Sequence, residues 1–208
     1  MTTEPGLRER KKQRTRQLIA DTAWRLFAER GFDEVSVAQI AREAEVSEAT
    51  VFNYFRTKED LVYHRMEAFE QDLLSAIRDR PEGESIVQAF GRFALQPRGF
   101  LMSDDPAATE GMRAAARVIT GSPALQARQH EIFDRFTTTL AAFIAEERGM
   151  AAGDVEPWVM ANALIGLHRA LIDFTHRQAL AGVANRRIAR NLVTHGRRAL
   201  ALLEDGIG

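Results

Sequence analysis

The sequence predicts an all-α protein: an N-terminal three-helix head carrying a helix-turn-helix, followed by a larger helical bundle. Three observations lead there. Apolar residues recur three and four positions apart through most of the chain, and no segment alternates apolar and polar residues with β-branched enrichment. Ser36, Ser47 and Thr57 lie about ten residues apart, each placed to cap an apolar-periodic run. Glycine and proline punctuate the rest, at Gly31, Pro81-Glu82-Gly83, Gly121-Ser122-Pro123, Gly149 and Gly182. Together these give about nine helices, divided into a head over residues 1–56 and a larger helical body over 57–208.

In chain order, residues 1–7 read as disordered, and a helix runs from about Glu9 to Arg30. Its apolar face holds Leu18, Ile19, Thr22, Ala23, Leu26 and Phe27, with Trp24 at the edge. Gly31 serves as C-cap and Phe32 as its hydrophobic contact. Ser36 caps the next helix, and Gln39 three residues on completes a capping box. Val37, Ile40, Ala41 and Ala44 form that helix's apolar face, and Glu45-Val46 makes the turn. Ser47 caps the following helix, whose apolar positions are Val51, Phe52 and Phe55. Thr57 and Asp60 open a longer helix to about Arg80, with Leu61, Val62, Met66, Phe69, Leu73, Leu74 and Ile77 as its stripe.

The bundle continues with a helix over residues 86–95, a loop at Arg98–Thr109, and a short helix from about Ala107 to Ile119. Ser122 as N-cap and Pro123 at the first helical position open a long helix to about Arg148. Two more helices run from Pro157 to Leu180 and from Asn185 to Leu203. The first of these is apolar on most of its circumference, with Trp158, Ala161, Leu164, Ile165, Leu167, Leu171, Ile172 and Phe174. Such a helix is buried on two sides. Either its second side meets a partner subunit, giving a four-helix dimer seam with the final helix, or one large subunit buries both.

Composition narrows the function. Of 208 residues, 45% are hydrophobic and 27% charged, an ordinary globular balance, and the formal net charge is −1. No eighteen-residue apolar run occurs, there is no cysteine, and the polar, basic start leads us to expect no secretory leader. A cytoplasmic protein without membrane association is expected. The charge is uneven: residues 1–16 hold six basic residues against two acidic ones, a basic arm suited to phosphates or, more plainly, a solvated helix end. The five histidines fall in no metal-binding spacing, and there is no GxSxG, glycine-rich phosphate loop or cysteine nucleophile. No enzyme, metal or cofactor is expected. His168, Arg169, Asp173, His176 and Arg177 share one helix and read as interface or solvated residues, with ligand contact as the alternative.

The second short helix of the head carries the candidate DNA contacts. Glu48, Ala49, Thr50, Asn53 and Tyr54 fall on its exposed side or near its start, where a small residue allows close approach, an amide reads a base edge and hydroxyls suit phosphate oxygens. Ser36 and Ser47 stand at the two helix starts, and Lys58 in the next first turn is placed for a phosphate. A plain helical hairpin with a solvated face would show the same caps.

The segments Ala23 to Phe32 (AxxLFAERGF), Val37 to Thr50 (VxxIAxxAxVSxAT) and Phe52 to Leu61 (FxYFxTKEDL) resemble the N-terminal domain of TetR-type transcriptional regulators, with spacing intact over about fifty residues. The resemblance implies a helical homodimer that binds double-stranded operator DNA through the head and a small-molecule effector in the body, most simply as a repressor. Three positions depart from the family pattern. Val37 and Ala38 stand where Thr or Arg is common, Ala49 where Gly is common, and Phe52-Asn53-Tyr54 where Tyr-Tyr-His or Tyr-Trp-His is common. The operator sequence therefore does not transfer from a relative. The body's aromatic richness suits a mostly apolar effector, with Phe90, Phe93, Phe133, Arg113, Arg117, Asn162 and His168 as candidate contacts, although aromatics also fill cores. The competing reading is a helical small-molecule-binding protein without DNA-binding activity.

Overall fold

The computed structural model describes residues 6–151 and 153–207. Among these, ten α-helices and one 3-10 turn are formed, and no strand. The chain divides into two compact units, one running up to His64 and including Arg117–Gln126, the other comprising 65–116 and the chain from 127 onward. The head thus extends past the boundary expected after residue 56, and it takes in a distant piece of chain. The disorder expected for residues 1–5 lies outside the described residues. Leu7, expected to precede the first helix, already belongs to it.

In the first unit, α1 (Leu7–Arg30) packs against α2 (Val37–Glu43) and α4 (Asp60–Tyr63), and α3 (Glu48–Tyr54) packs on α2. Ile19, Ala23, Leu26 and Phe27 recur at helical spacing and are buried, closing on Phe32, Ile40, Val51, Phe55 and Leu61. The Phe27 and Phe32 rings sit 5.0 Å apart. Leu18, expected on this face, is 51% exposed, because it lies just off the strip that Ile19 and Ala23 define. The Ser36–Gln39 capping box is formed, with Ser36 Oγ accepting from Gln39 N at 3.2 Å and Gln39 Oε1 accepting from Ser36 N at 2.8 Å. Glu45 makes the α2–α3 turn at φ 54°, in the left-handed region that side chains other than glycine's disfavour. The α2–α3 pair is therefore held by a strained backbone position as well as by two caps.

The single helix expected from Thr57 to Arg80 is split into α4 and α5 (Met66–Arg78). The His64 ring Nδ1–H donates to the Leu61 carbonyl at 3.0 Å, and Arg16 Nη2 donates to the His64 carbonyl at 3.4 Å. Those bonds draw carbonyls away from the helical ladder at the junction. Within the same unit, the buried Tyr63 hydroxyl donates to the Leu125 carbonyl at 3.0 Å, and burial pushes its phenol pKa up. Ser122, the cap read from sequence, donates to Asp33 Oδ1 at 2.9 Å and accepts from Leu125 N at 3.4 Å.

The second unit contains α5, α6 (Ile86–Ala94), a 3-10 turn (Gly99–Met102), most of α7 (Pro106–Gly121) and of α8 (Pro123–Arg148), then α9 (Val155–Leu180) and α10 (Asn185–Ile207). Ser85 and Gln88 cap α6 with a second capping box. Phe90, Phe133, Phe136, Leu140, Ile144 and Leu164 are fully or almost fully buried and form its core. The helices α6 and α10 approach closely at two glycines. A β-carbon on Gly91 would lie 2.3 Å from Leu200 Cδ1, and one on Gly196 would lie 2.1 Å from Leu95 Cδ2. The segment expected as a loose loop at 98–109 is anchored instead. Asn185 Nδ2 donates to the Phe100 and Ser103 carbonyls at 2.8 and 3.0 Å, and Arg186 N donates to Asp104 Oδ1 at 2.7 Å. No described helix is long and apolar enough to cross a membrane.

Candidate nucleic-acid interface and ligand cavity

The α3 backbone turns Val51 inward, and Phe55 just beyond its end is buried too, which leaves Glu48, Ala49, Phe52 and Asn53 exposed on the other side. Positions 49 and 53, and 48 and 52, are one helical turn apart, so these four make a compact outer face. Phe52 corrects the sequence reading: it is 49% exposed and sits beside Asn53, rather than packing with Val51. Thr50 and Tyr54 are half-buried at its margins. Ser47 Oγ accepts from Thr50 N at 3.1 Å and pairs with Thr50 Oγ1 at 2.8 Å, so both hydroxyls at this helix start are engaged in the cap. Ser36 is engaged likewise in its own box.

Lys58 also departs from the role read for it. Its ammonium donates to the Phe32 carbonyl at 2.9 Å and to the Val35 carbonyl at 3.0 Å, and it lies 4.1 Å from the Phe32 ring centroid. It ties the α1–α2 loop to the start of α4, and thereby sets where α3 stands. Exposed cations of this unit include Arg56, two residues past the end of α3, Arg42 on α2, and Lys11, Lys12 and Arg14 along α1. Two carboxylates that would offset them are drawn aside: Arg25 pairs with Glu29 at 3.2 Å and with Glu43 at 3.1 Å. A compact helix face carrying an amide and an aromatic edge, with cations nearby, is suited to base edges flanked by phosphates.

The second unit holds a cavity of about 660 Å³ that opens to solvent. Phe69 on α5, Phe93 on α6 and Phe100 in the 3-10 turn supply aromatic walls, and Met112, Ile172 and Leu192 supply aliphatic ones. Polar groups enter from α9, where His168, Thr175 and His176 line the cavity. The Phe69 and His168 rings stack at 5.0 Å with an interplanar angle of 16°, and Phe133 meets His168 edge-on at 5.9 Å. Burial, with the nearby Arg98 charge, pushes the His168 pKa down to about 4, and burial also lowers that of His176 despite Asp173. Both rings are therefore neutral at pH 7. Arg65, Asp72 and Arg98 are the charged residues at the lining.

Of the residues expected to meet a ligand, Phe93 and His168 line this cavity. Phe90 is wholly buried in the core, and Phe133 stands behind His168 as backing. Arg113 pairs with Glu110 at 3.3 Å, and Asn162 is exposed with its amide donating to the Trp158 carbonyl at 2.8 Å. Arg117 belongs to the first unit, beside a cleft of about 320 Å³ formed with Phe27, Gly31 and Ser122. His176, read as interface or solvated, is buried in the cavity wall. The signal for it was in the sequence: His168, Leu171, Ile172, Thr175 and His176 are spaced three, four, seven and eight apart, which is one face of a helix.

A capped helix-turn-helix with an exposed reading face, followed by a helical unit around an aromatic cavity, defines a DNA-binding protein with a ligand-binding body. Comparison with known proteins agrees. The family described as bacterial regulatory proteins, tetR family, matches residues 19–64, and the MftR C-terminal domain family matches residues 100–207. The regulator TcmR of Streptomyces glaucescens is 30% identical over 152 residues, covering 72% of this chain and 67% of TcmR. MftR of Mycobacterium tuberculosis is 29% identical over 174 residues, covering 80% and 81%. Among solved structures, NalD of Pseudomonas aeruginosa superposes with a TM-score of 0.57 at 20% identity, over 90% of this chain and 97% of NalD. A TetR-family protein of Mesorhizobium loti gives 0.56 at 24%, over 92% and 96%. The chain belongs to the TetR family. It is a DNA-binding transcriptional regulator, and the alternative of a helical binding protein without a DNA role is not favoured.

Proposed function

We propose that this regulator is a homodimeric repressor whose two heads read a palindromic operator, and that a mostly apolar effector seated in the 660 Å³ cavity releases it. The observation that carries the effector half is the continuity of the cavity wall with the head. Arg65 lines the cavity, and it follows directly on His64, the last residue of the head before α5. A ligand that displaces α5 therefore pulls on the chain that enters α4. Two recognition helices must meet half-sites about 34–36 Å apart, so a displacement of a few ångströms spoils simultaneous contact. Glu48, Ala49, Thr50, Phe52, Asn53 and Tyr54 face the bases and adjacent phosphates. Ser36, Ser47 and Lys58 hold the reading helix in place.

The test begins with selection of bound fragments from a random DNA pool by the purified protein, and palindromic sites are expected. An effector found by thermal-shift screening is then titrated with and without the selected operator. Linkage requires operator to weaken effector by the same factor by which effector weakens operator, on the order of 5- to 150-fold. Equal effector affinity in the two titrations would defeat the release mechanism for that effector.

A further inference from the structure

The cavity's own chemistry specifies more than an apolar occupant. Its lining places two guanidinium groups, Arg65 and Arg98, against a single carboxylate, Asp72. Arg98 is held in a fixed pose. Nη1 donates to the Phe93 carbonyl at 2.8 Å, Nη2 to Gln96 Oε1 at 3.2 Å, and the guanidinium lies 4.1 Å from the Phe93 ring centroid. A guanidinium fixed on one side and flanking an apolar space is pre-organised to meet a carboxylate or sulfonate with its remaining N–H groups. Beside it the wall is made of rings: Phe69 meets Phe93 at 5.3 Å and stacks on His168 at 5.0 Å. The aromatic surface that this cluster and Phe100 present to the cavity favours a planar aromatic occupant, which can stack or meet ring edges, over a branched aliphatic one.

Resting on the cavity reading above, we infer that the effector is a planar aromatic anion, with its rings against the wall of Phe69, Phe93 and Phe100 and its negative charge at Arg98. The neutral imidazoles of His168 and His176 each offer one donor and one acceptor, so they serve a hydroxyl or carbonyl on the ring system and add no competing charge.

Two dyes of matched ring structure separate charge from shape. The full-length protein is titrated by fluorescence at pH 7.5 with 8-anilinonaphthalene-1-sulfonate, which is anionic, and with N-phenyl-1-naphthylamine, which is neutral. The wild type is expected to bind the sulfonate about tenfold or more tighter than the neutral dye, the scale of one charge-assisted contact. Arg98→Gln removes that preference without changing affinity for the neutral dye, and Arg98→Lys restores part of it. Ile172→Trp, which fills the cavity, weakens both dyes. Equal affinity for the two dyes, unchanged by Arg98→Gln but still lost in Ile172→Trp, would overturn the anionic assignment and leave the cavity standing as a neutral-ligand site. Binding of both dyes that ignores Ile172→Trp would overturn the inference and the cavity reading together.

Discussion

His168 shows how much one residue's surroundings decide. Its ring is buried between Phe69 and Phe133, and its pKa falls from an ordinary 6.5 to about 4. Between those values the unfolded chain holds a proton that the folded chain refuses. Stability supplied by the neutral ring is thus full above about pH 6.5 and is lost as pH falls toward 4, by roughly 3 kcal/mol in all. His176 is shifted in the same direction and adds to the same trend. His168→Phe keeps an aromatic ring in the stack but removes the titration. Urea unfolding from pH 7 down to pH 4.5 is expected to show the wild type losing more stability than the variant. Parallel profiles would mean that the ring is charged in the native state. From sequence, the aromatic helix around His168 was legible, but the depth of its burial was not, because that depends on rings brought from α5 and α8. Lys58 is the reverse case. Its charge and position near a helix start read as a phosphate contact, and only the folded loop reveals the two carbonyls that hold it.

At the scale of the element, caps and periodicity were the dependable signals. Ser36 with Gln39 and Ser47 with the Thr50 amide are local pairs, and each formed as the sequence dictates. The α4–α5 break was hidden because one of the bonds at the junction comes from Arg16, forty-eight residues away. Phe52 was misread because hydrophobicity was equated with burial, although the phase set by Val51 and Phe55 already turned it outward. That outward position offers α3 a second candidate reading group beside Asn53. An adenine offers paired donor and acceptor atoms to an amide, and a thymine offers a methyl to a ring. Asn53→Ala and Phe52→Ala are each expected to flatten preference at one operator position, by about 1–3 kcal/mol, with little effect at the others. The check is binding of every single-base operator variant to each mutant. A uniform loss across all variants would make either side chain a helix-positioning residue and not a reader of bases.

For the whole molecule, the remaining question is which surface makes the dimer. The sequence offered the last two helices together, and their outer faces prove to be chemically different. On α9, Val159, Gly166 and Ala170 are exposed, with Ala163 half-buried between them, a strip that permits close helix approach. On α10, Arg186, Arg187, Arg190, Arg197 and Arg198 are exposed, and helical geometry puts all five within about 120° of arc. Crossing that face with its own copy would set like charges against one another, which opposes association. We therefore expect the seam along the outer strip of α9, with the arginines of α10 at its solvent rim. Leu171 is not part of it, being buried and lining the cavity. Ala170→Arg places a charge and bulk at the centre of the strip without touching the subunit core. It is expected to raise the dimer dissociation constant on the order of a hundredfold, by burying an unpaired charge in the seam. Arg190→Glu is expected to leave the dimer intact. Sedimentation at micromolar concentration distinguishes them, with thermal melts to establish that both variants fold. Operator affinity falls with Ala170→Arg because a single head holds only one half-site. A wild type that sediments as a monomer, or a pair in which Arg190→Glu dissociates while Ala170→Arg does not, would move the seam off α9.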